Sequence, residues 1–240
     1  MPKNSGVKTA VITGCDFGLG VELAREALRL GYRVFAGCYR SRSAKEMRKL
    51  QKTSCGALTP FNIDMSSEAS IQRAAGFISR KTRAVDVLVN NAALCGYDNV
   101  DKVTMRAFHR MFAVNSFGPM VLLRRLRRLL AASGAGKVVN ISSEAGSIGT
   151  ANNIRGIYAY SASKTALNML MHRAALELAP EKTSVVMLHP GWMNTPMGRT
   201  AGKPPQNPAD TARDVFKIAA RMGAKESGGF FLHNGKRYPW

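Results

Sequence analysis

Acidic residues are scarce in this chain: 15 Asp and Glu stand against 35 Lys and Arg over 240 residues, a formal net charge of +20. Such a surface attracts nucleic acid, anionic lipid, an acidic partner or an anionic cofactor. No zinc-finger or RNA-binding signature accompanies the charge. Cysteine is equally sparse. Cys15, Cys38, Cys55 and Cys95 are widely spaced with no Cys-x-x-Cys, which argues against a zinc site or a disulfide framework and suits a reducing compartment. Four scattered histidines (His109, His172, His189 and His233) offer no metal-ligand spacing. No apolar run approaches the ~20 residues that span a bilayer. Residues 1–8 are polar and read as neither signal nor transit peptide, so the expected location is cytoplasmic. Repeats, low-complexity tracts and Pro/Ser-rich linkers are missing too, which predicts one domain over residues 1–240.

What is present is an alternation of short apolar runs with longer amphipathic stretches. Strands are predicted at 9–13, 33–37, 57–63, 85–90, 137–141 and 184–189, with a weaker one at 229–232. Helices are predicted at 19–30, 44–51, 67–81, 105–130 (in two pieces), 159–178 and 209–221. The pattern predicts an α/β fold, a doubly wound and mostly parallel seven-stranded sheet with helices on both faces. The densest basic cluster falls on one helix, where Leu122, Leu126 and Leu129 form an apolar stripe. Arg124, Arg125, Arg127 and Arg128 then form its solvated face. The Gly/Pro-rich segment 197–208 is too long for a tight connection and is a candidate substrate lid.

The first strand-to-helix turn reads Thr13-Gly14-Cys15-Asp16-Phe17-Gly18-Leu19-Gly20. Glycines there allow a sharp turn and close approach of a pyrophosphate, and the helix N-terminus presents free N–H groups. The spacing is Gly-x-x-x-Gly-x-Gly, not the commoner Gly-x-Gly-x-x-Gly. After the second strand comes Cys38-Tyr39-Arg40-Ser41-Arg42, with no acid to bind ribose hydroxyls. Two arginines instead suit the 2′-phosphate of NADP, Arg40 being the better placed. Asp64 ends the third strand, where it either accepts from an adenine amino group or caps the next helix. Asn90-Asn91-Ala92-Ala93 ends the fourth, at the edge that faces a ligand crevice.

Tyr160 and Lys164 are four residues apart, which stacks them on one face of a helix. An ammonium beside a phenol favours the phenolate and lowers the Tyr pKa toward the range of acid catalysis. A Tyr-x-x-x-Lys arises by chance in roughly one chain in three of this composition, and most such pairs are exposed helix neighbours. Tyr158 cannot substitute for Tyr160, because the residue four further on is Ala162.

Together the motifs resemble the short-chain dehydrogenase/reductase family over the whole chain. The matched residues are the Thr13–Gly20 loop, Asn90-Asn-Ala92, Asn115, Ser143, Tyr160-x-x-x-Lys164, and Pro190-Gly191 followed by Thr195. The segments Ser142-Ser143-Glu-Ala-Gly-Ser-Ile-Gly149, Tyr158-Ala-Tyr160 and Leu188-His-Pro-Gly-Trp192, and the ending that runs from Gly228 to Trp240, are similar to its sniffer and C-signal-like carbonyl reductase branch. The resemblance implies an NADPH-dependent carbonyl reductase or alcohol dehydrogenase, homodimeric or homotetrameric, with a small carbonyl or alcohol substrate, no metal and no nucleic acid.

It further implies that Tyr160 donates the proton, Lys164 lowers its pKa and binds the nicotinamide ribose, and Ser143 holds the carbonyl oxygen. Asn115 would hold a water that relays protons through Lys164. The implied cofactor contacts are Gly14, Asp16, Phe17, Gly18, Leu19, Gly20, Tyr39, Arg40, Asp64, Met65, Asn91, Ala92, Tyr160, Lys164, Pro190, Gly191, Met193 and Thr195. Ser142 belongs rather to the strand end, and Trp192 is either a pocket wall or a core residue.

The chain departs from the family pattern at three places. Ala93 replaces a usual glycine, and Phe17 stands where NADP-preferring relatives often carry a basic residue. Ser143 and Tyr160 are separated by 17 positions, more than in the wider family, which inserts a loop beside the pocket. Specificity is expected from 94–98, 148–157 and 197–208; Arg155 and Arg199 read as solvated surface arginines rather than as ligands of an acidic substrate. Two other classes stay open: a cofactor-binding signalling protein with little turnover, and an electrostatic binder of nucleic acid or membrane.

Overall fold

The computed structural model describes residues 6–39, 45–150 and 156–240. Seven strands form a single sheet: β1 (Thr9–Thr13), β2 (Arg33–Cys38), β3 (Leu58–Asn62), β4 (Val87–Asn90), β5 (Lys137–Ile141), β6 (Ser184–His189) and β7 (Phe230–Leu232). Their order is β3-β2-β1-β4-β5-β6-β7, and every neighbouring pair is parallel. The expectation of a mostly parallel sheet is thus met by a wholly parallel one.

Both faces of this sheet are covered, so its central strands are apolar at successive positions and not merely at alternate ones. Along β1, Ala10 and Ile12 face one core while Val11 faces the other. The first core is closed by α1 (Leu19–Arg29), α2 (Lys45–Thr53) and α7 (Pro208–Arg221). The second is closed by α3 (Glu68–Ser79), α5 (Gly118–Ala132) and α6 (Tyr158–Leu178). The basic cluster behaves as its periodicity implies. Leu122, Leu123, Leu126 and Leu130 are buried, while Arg124 and Arg125 pair with Glu68 and Arg127 with Glu177 and Glu181.

The long helical stretch 105–130 breaks where the chain carries Gly118-Pro119. Pro119 has no N–H to offer the carbonyl of Asn115, and its ring crowds that carbonyl. The Gly118 N–H instead reaches Ala113, five residues back, which makes Ala113–Phe117 a π-helical turn between α4 (Met105–Phe112) and α5. A Cβ on Gly118 would lie 2.3 Å from the Met65 carbonyl oxygen. The turn therefore presses against the end of β3 and presents Asn115 to the sheet edge.

Strand order reverses between β1 and β4. A parallel sheet leaves its ligand crevice at such a point, outside the carboxyl ends of the strands. Apart from Asn115 in the π-helical turn, the described candidate residues follow one of those ends or lie in the first two turns of α1 or α6.

Candidate active site

A cleft of about 710 Å³ runs along the carboxyl edge of the sheet. One end is the β1–α1 turn. Gly14 and Gly18 have φ of 71° and 63°, backbone that side chains other than glycine rarely adopt. At Gly20 the constraint is space: a Cβ would sit 2.0 Å from the Gly14 carbonyl oxygen. The loop is braced from β4. Thr13 Oγ1 accepts from the N–H groups of Asn91 and Ala92, each at 3.1 Å, and Asn91 Nδ2 donates to the carbonyls of Thr13 (3.0 Å) and Gly14 (3.1 Å). Asn91, expected as a cofactor contact, thus also holds the glycine turn in shape. Ala93 fits without strain, since positive φ occurs only at Cys55, Ile157 and Lys182 among the described non-glycine residues.

The adenosine end expected from the sequence is partly on view. Phe17 and Tyr39 are each 60% exposed and line the cleft with Asp64 and Met65. Asp16 Oδ2 accepts from the Tyr39 N–H at 2.9 Å, which ties the glycine turn to the end of β2. Asp64 Oδ1 accepts from the backbone (2.9 Å) and hydroxyl (2.6 Å) of Ser66. It does not cap α3; Ser67 does. Arg40, Arg42 and Arg155 lie outside the described residues.

At the other end, Ser143, Tyr160 and Lys164 come together with β5 and α6. Lys164 is 1% exposed and donates to the Ile141 carbonyl at 2.8 Å. Its burial pulls the ammonium down to about 8, a nearby Cys95 acting the other way. Tyr160 is 9% exposed. Burial pushes its phenol up, and Cys95 adds to this, while a hydrogen bond with Ser143 acts in the opposite sense. The helical spacing predicts that Lys164 lowers the pKa of that phenol. In the packed structure burial is the largest influence on the phenol and acts upward, and Lys164 Nζ lies 5.8 Å from the ring centre.

Asn115 sits behind this group. Its Oδ1 accepts from the Leu94 N–H at 2.8 Å, and its Nδ2 donates to the Leu94 carbonyl and to Ser163 Oγ, each at 2.9 Å. It therefore clamps the segment after β4 to α6. Ser142 is turned away from the reaction space, since its hydroxyl donates to Asn168 Oδ1 at 2.6 Å.

The segment after β6 closes the cleft. Gly191 has φ of 81°, and a Cβ there would meet Gln206 Oε1 at 1.9 Å. Thr195 is buried and packs against Gly18, for a Cβ on Gly18 would lie 3.3 Å from its side chain. Pro190, Gly191, Met193 and Thr195 all line the cleft beside the glycine turn, as the motif order implies. Trp192 is a wall and not a core residue: it is 43% exposed, with Nε1 donating to the Gly198 carbonyl at 2.9 Å. Arg199 donates to Asn194 Oδ1 at 2.8 Å in an exposed contact.

Three contributors had no individual role assigned from the sequence. His189 Nδ1 accepts from the Glu144 N–H at 3.1 Å and so fixes the turn that carries Ser143. Burial and, second, His233 hold this histidine down to about 4, so the accepting, neutral ring is present at physiological pH. Cys95 and Tyr97 line the cleft near Tyr160 and Lys164, and the Tyr97 hydroxyl reaches across to Thr200 Oγ1 at 3.1 Å. Cys95 and Tyr97 fall in the segment 94–98 expected to set specificity and His189 in the run Leu188–Trp192, but only the spatial neighbourhood gives each its role.

Among the described residues no cluster of three His, Cys, Asp or Glu is arranged to hold a metal, and no helix is long and apolar enough to cross a membrane.

Comparison with known proteins agrees with this geometry. The family model for short chain dehydrogenase matches residues 8–206. The C-signal protein of Myxococcus xanthus is 35% identical over 164 residues, covering 66% of this chain and 95% of that protein. The carbonyl reductase Sniffer of D. melanogaster superposes with a TM-score of 0.91 at 27% identity, over 98% of this chain and all (100%) of that one. An NADPH-bound carbonyl reductase from chicken fatty liver superposes at 0.90 with 26% identity, over 98% and 99% of the two chains.

Proposed function

This chain belongs to the short-chain dehydrogenase family of oxidoreductases, and from that premise we propose that it is an NADPH-dependent carbonyl reductase or alcohol dehydrogenase acting on a small carbonyl or alcohol. The observation that carries the reading is the shared cleft. It joins a glycine turn shaped for a pyrophosphate to Ser143 and the buried Tyr160–Lys164 pair.

The residues present fit a nicotinamide dinucleotide. Side chains at Gly14 or Gly20 would collide with the backbone of Ala92 or Gly14 and force the turn open, and the N-terminus of α1, which has no side-chain cap, leaves free N–H groups for a pyrophosphate. When bound, the reduced nicotinamide supplies the hydride. Tyr160 then gives its phenolic proton to the substrate oxygen, and Ser143 donates a hydrogen bond to that oxygen and holds it in place. Burial raises the phenol and so weakens it as an acid; in this reading the neighbouring positive charge of Lys164 is what favours release of the proton. Lys164, fixed by the Ile141 carbonyl, supplies the adjacent positive charge and a proton route. Asn115 positions the helix and the Leu94 segment around them.

The preference for NADPH rests on Arg40. Asp16 counts the other way, because its carboxylate on the Tyr39 N–H sits at the end of β2 that a 2′-phosphate would approach. Segment 197–208 serves as the lid in this reading, with the Tyr97–Thr200 contact as its latch, and the protein works as a homodimer or homotetramer in a cytoplasmic compartment.

A second reading, a cofactor-binding signalling protein with little turnover, draws on the likeness to the C-signal protein. A screen of aldehydes, ketones and quinones with NADPH, following reduced-nicotinamide absorbance, separates the two. Turnover lost in Tyr160→Phe supports the enzyme. NADPH binding with no turnover of any carbonyl supports the signalling protein.

A further inference from the structure

Helix α6 carries both Tyr160 and Lys164, yet its own N-cap cannot hold it. Ile157 at that position has no side-chain oxygen, and its backbone is left-handed (φ 56°, ψ 35°), costly for a β-branched residue. The first free N–H groups of a helix need acceptors, which a cap residue ordinarily supplies. Here they come from a residue 60 positions upstream. The carboxylate of Asp98 accepts from the Tyr158 N–H with one oxygen and from the Ala159 N–H, at 3.2 Å, with the other. Its backbone carbonyl accepts from the Ile157 N–H at 3.1 Å. Three successive N–H groups therefore end on one residue. The fit extends one residue further back, where a Cβ on Gly156 would lie 2.5 Å from the Asp98 carbonyl oxygen.

Asp98 belongs to the segment after β4 that also carries Cys95 and Tyr97 into the cleft. Tyr160 lies in the first turn of α6, one residue beyond the second N–H that Asp98 holds. We propose that Asp98 is the positioning residue of the reaction: it sets the depth of the Tyr160 phenol in the cleft and locks the substrate-facing segment to the catalytic helix. This rests on the reading of Tyr160 as the proton donor. Misplacement of a reacting group by about 1 Å costs on the order of 10²-fold in rate, so an anchor at the first turn controls turnover without touching substrate.

The test compares Asp98→Ala, Asp98→Asn and Ser67→Ala, the last removing a cap from α3, remote in sequence from α6. Amide hydrogen exchange over residues 157–161, NADPH affinity, kcat and KM are measured for each. Asp98→Ala should speed exchange in that segment and lower kcat by ~10- to 100-fold, with NADPH affinity kept within about threefold. Asp98→Asn, which retains one acceptor oxygen, should recover part of both losses. Ser67→Ala should destabilise the fold while leaving kcat within about threefold of the parent. Unchanged exchange at 157–161 in Asp98→Ala overturns the proposal, as does a kcat no lower than that of Ser67→Ala. Were the parent protein to reduce no carbonyl at all, the functional reading would fall, while exchange alone would still decide whether Asp98 holds the helix.

Discussion

The Lys164 ammonium lies 5.8 Å from the centre of the Tyr160 ring, one helical turn further along α6, and is pinned there by the Ile141 carbonyl. The pair is buried as a unit. Burial opposes charge on either group, so the phenol keeps its proton and the ammonium is easier to discharge than in water.

Lys164→Met should therefore separate activity from stability. The folded ammonium titrates at about 8, while a lysine in the unfolded chain titrates near ~10.4. Between these values the unfolded state binds more protons, so stability rises as pH increases through the window, and the burial cost is fully present below it. Replacement with Met should flatten that slope in urea titrations and leave melting at neutral pH unchanged or higher. Carbonyl reduction should fall by ~10²-fold or more. A variant that keeps full turnover would remove Lys164 from the mechanism.

His189 gives the acid limb. Its folded value of about 4 lies below that of an unfolded histidine, near ~6.5. The unfolded chain takes the proton first, so stability falls as pH drops from about 6.5 to about 4, and the loss is complete below that. Protonated Nδ1 can no longer accept the Glu144 N–H. His189→Gln should flatten this part of the stability–pH curve. An unaltered slope would assign acid lability to carboxylates instead.

Asp16 sets up a test of cofactor choice. Asp16→Asn keeps an oxygen for the Tyr39 N–H but removes the negative charge. It should tighten NADPH binding by roughly 3- to 10-fold and leave NADH nearly unchanged, as removal of one partly screened charge would. Quenching of Trp192, which lines the cleft, reports both titrations. Equal gains for both cofactors would detach Asp16 from the 2′-phosphate.

Much of this was legible in the chain itself. All seven strands were expected, including the weak one at β7, because a sheet covered on both faces leaves runs such as Ala10-Val11-Ile12 and Val185-Val186-Met187-Leu188. The glycine turn was legible too, since Gly14 and Gly20 answer a steric demand that no other residue meets. Long-range pairings were not. The start of α6 at Tyr158 rather than 159 depends on Asp98, the brace behind the glycine turn on Asn91, and the Ser143 turn on His189. Each is one side chain meeting one or two backbone groups dozens of residues away, with no periodicity to announce it. The upward effect of burial on Tyr160 was hidden for a related reason: spacing along a helix gives proximity to Lys164, whereas burial is supplied only by the packed structure.

The most direct measurement compares the parent protein with Tyr160→Phe, following NADPH absorbance with a carbonyl that the parent reduces and Trp192 quenching by NADPH in parallel. Loss of one hydroxyl should leave NADPH affinity unchanged and lower turnover by about 10²–10⁴-fold. Turnover at the parent rate in Tyr160→Phe would contradict the assignment of this phenol as the proton donor.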